Sequence, residues 1–474
     1  MRSALTVTAL ALLPLFAQAQ APYAGRATPA QRNWIKVDAP IVALTHVQVV
    51  DGTGAAPSLD QTIIITGDKI TAVGPAASTV VPAGARVLDL TGRTVIPGIV
   101  GLHDHTFYTT SNRTVQMNTT GPRLYLASGV TTVRTTGSAS PYSEINLKRN
   151  IEKGLATGPR MFITGPYLTG ETGSSHMLSL LTPEAARRSV DYWAEEGATW
   201  LKFYTTPSRE VMRAAIEEAH KRGLKVTGHL CSVGFREAVA LGIDNLEHGL
   251  FVDTEYDPEK KPDECPSDAA SKLASLDLTS APVQATFKEM VAKHVAMTST
   301  LAVFELFVPN RPPLDQRVLD AMSPETRAEY LTSRARLVEP GAFAISPATF
   351  RKAQDFEIAF ARAGGLLAAG VDPTGNGGAL PGFGDQRNYE LLVEAGFTPV
   401  ETIRIMTLNG ATVLGVDAQY GSIAVGKLAD LVVINGDPIR TPAAIRNVET
   451  VFKDGLGYDS AKMIEASRGL VGIR

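Results

Sequence analysis

The sequence predicts an α/β protein: a (β/α)8 barrel carrying a small β-sandwich assembled from both ends of the chain. Three observations lead there. Between about Val95 and Gly415, short β-branched runs alternate with longer amphipathic stretches, the pattern of parallel βα units rather than of hairpins. Six side chains suited to holding metal, His103, His105, Lys202, His229, His248 and Asp372, fall at or beside the ends of those runs, where such a barrel carries its functional groups. The stretches on either side, 41–74 before and 421–439 with 448–455 after, are short β-rich runs broken by Gly-Asp, Asp-Gly and Gly-Lys turns.

The chain opens with Arg2, an apolar run from Ala4 to Phe16 too short to span a bilayer, and the small-residue site Ala17-Gln18-Ala19. It reads as a secretory signal over 1–19, so the mature protein is expected to be exported, in a bacterium to the periplasm. No cysteine follows the signal, which argues against a lipoprotein, and no later stretch approaches about 20 uninterrupted apolar residues.

Residues 20–94 are expected to form the first part of the sandwich and 416–474 the second, because neither has strands enough for its own core. Within 95–415, eight strands are expected: before His103 from Val95, then from Val130, Arg160, Thr199, Lys225, Ile243, Ala296 and Leu366. Helices lie between them, such as those opening on Thr182 and Ser208 and closing on Gly197 and Gly223. His220 and His294 fall in helical segments and are left out of the site. The span of about 251–347 is long for βα connections and is read as an insertion, parts of it a lid or specificity element.

A formal charge of −3 offers no basic stripe for nucleic acid and no polybasic run for a membrane surface, which favours a small-molecule substrate. Two cysteines exclude a disulfide scaffold, but an exported protein can keep one bridge. Cys231 lies two residues past His229 and Cys265 in a polar segment; the two either pair, tethering that segment beside the site, or remain free thiols, one of them buried.

Strand residues i and i+2 share a side, so His103 and His105 can turn together towards the axis and hold one metal while Asp104 faces away. Lys202 is the unusual member, since a protonated amine repels cations. As a neutral amine it can take up carbon dioxide, and the resulting carbamate has two oxygens able to bridge two cations about 3.5–4 Å apart. His229 and His248 then complete the second metal, and Asp372 reaches the first.

This pattern resembles the amidohydrolase superfamily, in the two-metal branch with a bridging carboxylated lysine, and most closely its prolidase-like and imidazolonepropionase-related members. The motifs are GDKITAVG, PGIVGLHDH, TTVR, GATWLKFY, GLKVTGHL, NLEHG, TLNGATVLG and GSIAVGKLADLVVI, spanning nearly the whole mature chain. The resemblance implies that His103, His105 and Asp372 hold the more buried of two ions, zinc by expectation, that N-carboxylated Lys202 bridges, and that His229 and His248 hold the other. Asp372 would shuttle the proton from the attacking hydroxide to the leaving amine. Tyr204 is a candidate oxyanion donor or an aromatic packed at the barrel mouth, and His176 a candidate substrate contact. Arg134 and Arg387 are candidate anchors for a substrate carboxylate.

The expected function is hydrolysis of the C–N bonds of dipeptides or N-acyl amino acids. A lactonase or phosphoester hydrolase using the same site is the alternative, and a non-catalytic binding relative the remote one. The loops TTVRTTG and ETGSSH depart from the pattern of relatives, and both border the pocket, so the substrate stays open. Homo-oligomers are compatible with the resemblance, with no number fixed.

Overall fold

The computed structural model describes residues 25–110, 113–266 and 272–473. The expected signal at 1–19 lies outside them, and no helix among the described residues is long and apolar enough to cross a membrane.

Both ends of the chain meet in one mixed sheet of nine strands. Its seam is the antiparallel pairing of Arg93–Pro97 with Leu431–Asn435, Val95 opposite Val433. The turn signals act as expected: Asp454 and Gly455, at φ +51° and +75°, close the hairpin in which Lys453 faces Leu456, as a two-residue type I′ turn requires. Strand alternation divides the apolar residues. Val95, Leu431, Val433 and Phe452 join Val42, Leu44, Ile63 and Ile65 in a core belonging to the sheet itself, while Ile96, Val432, Ile434 and Val451 face the large core. The sandwich expected from the sequence is therefore one continuous sheet, because the two terminal segments hydrogen-bond to each other directly. Val95–Pro97 also belongs here rather than to the first central strand. Proline lacks an N–H to continue the ladder, and Gly98 is pressed so close to Thr131 that a β-carbon would lie 2.1 Å from its hydroxyl.

Each of the eight expected runs contributes a strand, and all pair in parallel. Ile99–Asp104, Val130–Thr135 and Arg160–Phe162 form one sheet. After Ile163 the third run continues as Thr164–Thr169, which pairs in turn with Trp200–Phe203, Lys225–Gly228, Asn245–Glu247, Ala296–Ser299 and Leu367–Ala369. The eighth strand returns to the first: the Asp372 N–H donates to His103 O at 2.7 Å. Gly370 permits that approach, since a β-carbon there would meet His103 N at 2.2 Å. Helices Pro183–Glu196 and Arg209–Lys221 begin with the Thr182 and Ser208 side chains accepting from Ala185 and Val211 N–H, the caps read from the sequence.

The span 251–347 is not one insertion. Helix Ala281–Ala292 and strand Ala296–Ser299 lie within it and belong to the repeating βα pattern. Two connections remain, 249–280 and 301–346. Cys231 and Cys265 are disulfide-bonded, Cα to Cα 5.0 Å, and tie the first connection to the end of the fifth strand. The second starts with the short helix Leu301–Glu305, which forms one wall of the site.

Candidate metal centre

The parallel strands end at a cavity of about 370 Å³ whose lining includes His103, Lys202, His229, His248 and Asp372. His105 sits just behind, its Nε2 3.3 Å from Asp372 Oδ1. The six residues singled out by the sequence thus converge. One ligand atom each from His103, His105 and Asp372 lies within 4.8 Å of the others, His103 Nε2 is 3.7 Å from Asp372 Oδ2, and Lys202 Nζ is 3.3 Å from His103 Nε2. The His229 and His248 ring centroids are 4.5 Å apart.

Three of the imidazoles are anchored through Nδ1, which leaves Nε2 for the cavity. His103 Nδ1 meets Glu247 Oε2 at 2.7 Å, His105 Nδ1 meets Gly137 O at 3.1 Å, and His248 Nδ1 meets Thr300 Oγ1 at 2.7 Å. His248 Nε2 is buried without a hydrogen-bond partner. A fixed Nδ1 and a presented Nε2 are how proteins set histidines for metal, and an orphaned buried nitrogen is costly unless something binds it.

The electrostatics favour ligand protonation states. Burial, then the Lys202 charge, depresses His103 well below the ordinary imidazole range and pushes His229 down to about 3; His248 is lowered by burial and the adjoining histidines. All three are neutral bases at pH 7. Burial lowers the Lys202 amine to about 8, against the opposing pull of Glu247 and Asp372. For Asp372 burial acts upwards, but His103, the His105 hydrogen bond and Lys202 outweigh it and hold the carboxylate well below its usual range.

Two non-glycine residues here occupy left-handed backbone, His248 at φ +66° and Asp372 at φ +50°. Such conformations cost energy and gather at functional positions. Each turns a side chain back into the cavity at the point where its strand has ended. Asp372 is further held by Thr374 Oγ1, which donates to Oδ1 at 2.9 Å.

Tyr204 lines the cavity just past the end of its strand, its ring 4.7 Å from that of His229, and His176 lines it from the loop after the third strand. Asp104 points away and accepts from Val371 N–H, and His220 pairs on the surface with Asp244. The two arginine anchors are corrected. Arg134 is wholly buried below the cluster, bonded to Glu247 and stacked on Trp200, because a guanidinium inside the strands needs a carboxylate. Arg387 lines a separate cavity, bound to Glu305 and Glu390.

The sequence reading missed Glu247, Tyr167 and Thr300. Glu247, buried beside Arg134, Thr227 and Asn245, fixes His103; burial pushes its pKa up, but Arg134 and Lys202 more than offset this and keep it ionised. A glutamate inside a strand, immediately before a ligand histidine in NLEHG, was the available signal. Tyr167, whose hydroxyl lies 3.2 Å from His105 Nε2, lies within the third strand in ITGPYLTG.

The model of the Amidohydrolase family matches residues 94–270 and 328–456. The chain is 36% identical over 151 residues to an imidazolonepropionase of Streptomyces avermitilis, across 31% of this chain and 34% of that protein. With an imidazolonepropionase of Streptomyces griseus it shares 34% over 164 residues, 32% of this chain and 40% of the relative. These matches span only about a third to two fifths of the relatives' lengths. Among solved structures, a Bifidobacterium longum protein provisionally assigned as a prolidase superposes with TM-score 0.65 at 25% identity, over 90% of this chain and 98% of its own. A Xaa-Pro dipeptidase with methionine bound in its active site gives 0.64 at 20%, over 88% and 100%. Phenylurea hydrolase B gives 0.64 at 23%, over 92% and 100%; at such identities these last two speak for the fold alone. With a family match spanning well over half of the sequence, the chain belongs to the amidohydrolase family.

Proposed function

We propose that the protein is an exported two-metal hydrolase of amide C–N bonds. The observation that carries this reading is the convergence of four imidazoles, one depressed amine and one ionised carboxylate on a single buried spot, with His248 Nε2 unpartnered there. That donor set fits divalent cations, zinc among the best suited to imidazole and carboxylate together. His103, His105 and Asp372 would hold one ion, His229 and His248 the other, and Lys202 in its N-carboxylated form would be shared. When bound, such ions supply an ionised water at neutral pH and polarise the carbonyl it attacks.

The chain's own residues do the rest. Asp372, ionised and fixed by Thr374 and by its backbone bond to the first strand, takes the proton of the attacking water and returns it to the departing nitrogen. Tyr204, which lines the cavity beside His229, would donate its hydroxyl to the carbonyl oxygen as charge develops there. Phe304 and Phe307 form an apolar wall of the cavity, and His176, which also lines it, would contact the substrate. The parallel order of the strands and the bond from Asp372 N–H to His103 support closure of the eight into a (β/α)8 barrel. Export is supported by the leader-like opening and by the Cys231–Cys265 disulfide, a bond that persists in oxidising compartments.

The test is a mass-spectrometric hydrolysis screen of zinc-loaded mature protein against dipeptides, N-acyl amino acids and neutral amides, with Asp372→Asn as control. Release of amine by the wild type alone is expected. Silence from a preparation shown to hold two ions, with turnover of lactones or phosphoesters instead, would overturn the amide assignment.

A further inference from the structure

The cavity is charged only at its buried end. Among the described residues, the only lining groups carrying formal charge are Lys202 and Asp372, both members of the ligand cluster. The remaining surface includes Phe107, Met177, Val303, Phe304 and Phe307, with the uncharged polar groups of Tyr167, Tyr204, Ser174 and the threonines between them. The aromatic part is backed by further rings. Phe304 is stacked on Phe251 at 4.0 Å, and Phe307 meets Phe343 edge-on at 5.7 Å. His176 stands 5.8 Å from the Tyr167 ring and 6.3 Å from that of Phe107. Burial lowers the His176 pKa, so this imidazole is neutral at pH 7.

Among the described residues, no arginine and no lysine other than Lys202 lines the cavity. Arg134 is committed to Glu247 below the cluster, and Arg387 to Glu305 and Glu390 in another cavity. Arg113 is next in sequence to the lining residue Thr114, but its guanidinium is turned to Glu329 Oε2 at 3.4 Å and to Thr326 Oγ1 at 3.2 Å. Neither Ser111-Asn112 nor the segment 267–271 contains a lysine or arginine.

We infer that the substrates are neutral amides bearing an aromatic or other bulky apolar group, rather than dipeptides or N-acyl amino acids that present a free carboxylate. The inference rests on the amide-hydrolase reading of the same site. A carboxylate drawn among aromatic walls loses its hydration, and scattered hydroxyls restore it less well than the fixed cation that the lining beyond the cluster lacks. Cations held by the cluster serve the reacting carbonyl at the buried end, so the distal part of the substrate meets aromatic walls that favour an edge-on or offset ring. The reaction balances with water alone: the carbonyl carbon gains an oxygen, the C–N bond breaks, and the proton goes to nitrogen, giving a carboxylic acid and an amine.

A matched pair tests this: N-acetylphenylalanine, and N-acetylphenethylamine, in which hydrogen replaces the carboxylate. Zinc-loaded wild type is expected to show kcat/KM at least about tenfold higher for the neutral member, the size of effect that an unpaired buried charge imposes. Arg113→Ala is expected to leave that ratio unchanged, and Phe307→Ala to lower kcat/KM for the neutral member mainly through KM. Faster turnover of the carboxylate member, or its selective loss in Arg113→Ala, would overturn the inference while leaving amide hydrolysis standing. No turnover of either member by protein holding two ions would overturn the amide reading and this inference with it.

Discussion

Glu247 and Glu305 are both wholly buried carboxylates paired with arginine, yet they do different work. Glu247 has Arg134 on one side and His103 Nδ1 on the other, so its ion pair ends on a candidate metal-ligand histidine. Glu305 lies between Arg387 and Arg311, and its network runs on to the buried Glu390 and outwards to Glu394 at the surface. It closes the short helix whose Val303 and Phe304 line the cavity. The same chemistry therefore orients a ligand in one place and braces a wall in the other. An arginine in a strand or helix near an active site is not by that fact a substrate anchor; what its partner touches decides its role.

Four substitutions can break or sharpen this contrast. The largest effect is expected from Asp372→Asn, which removes the proposed proton carrier and a candidate ligand and should lower kcat about a thousandfold, measured with any amide the wild type cleaves. Glu247→Gln should weaken metal binding by about 10- to 100-fold, because His103 loses the carboxylate that fixes its tautomer. It should also destabilise the fold by about 3–5 kcal/mol, since Arg134 is left without a counter-charge. Competition with a chelator reads the first effect and urea unfolding the second.

Glu305→Gln should cost about 2–3 kcal/mol, less because Arg387 and Arg311 are partly exposed, and should raise KM while leaving metal affinity unchanged. A fall in metal affinity matching that of Glu247→Gln would erase the contrast. The smallest effect is expected for His220→Ala. That histidine pairs with Asp244 at the surface, and stability and metal content should stay within about 0.5 kcal/mol and experimental scatter of the wild type. A lost metal ion there would mean that the ligand set has been misassigned.

Much of this arrangement was legible from the sequence because strand ends carry the ligands. Period-2 alternation put His103 and His105 on one side and Asp104 on the other, and the structure agrees. Alternation alone would have set His248 opposite Glu247. Left-handed backbone at His248 undoes it, bringing the ring back to the cavity while Glu247 stays inside the strands. Local patterns do not announce such a turn at a non-glycine residue, so Glu247 was passed over. Arg134 misled for a related reason: its Glu247 partner is 113 residues away. The flanking sheet was visible as strands and turns, but its single continuous ladder depends on pairing Val95 with Val433, a register between the two ends of the chain.

The central claim is that Lys202 joins two metal ions in one site, and metal counting tests it most directly. Wild type and Lys202→Ala would be loaded with zinc in bicarbonate buffer, freed of excess metal, and analysed for zinc per chain. Two ions in the wild type and at most one in the variant, with partial recovery of activity on adding a short-chain carboxylic acid, is the expected result. Equal occupancy and equal turnover in the two proteins would contradict the account.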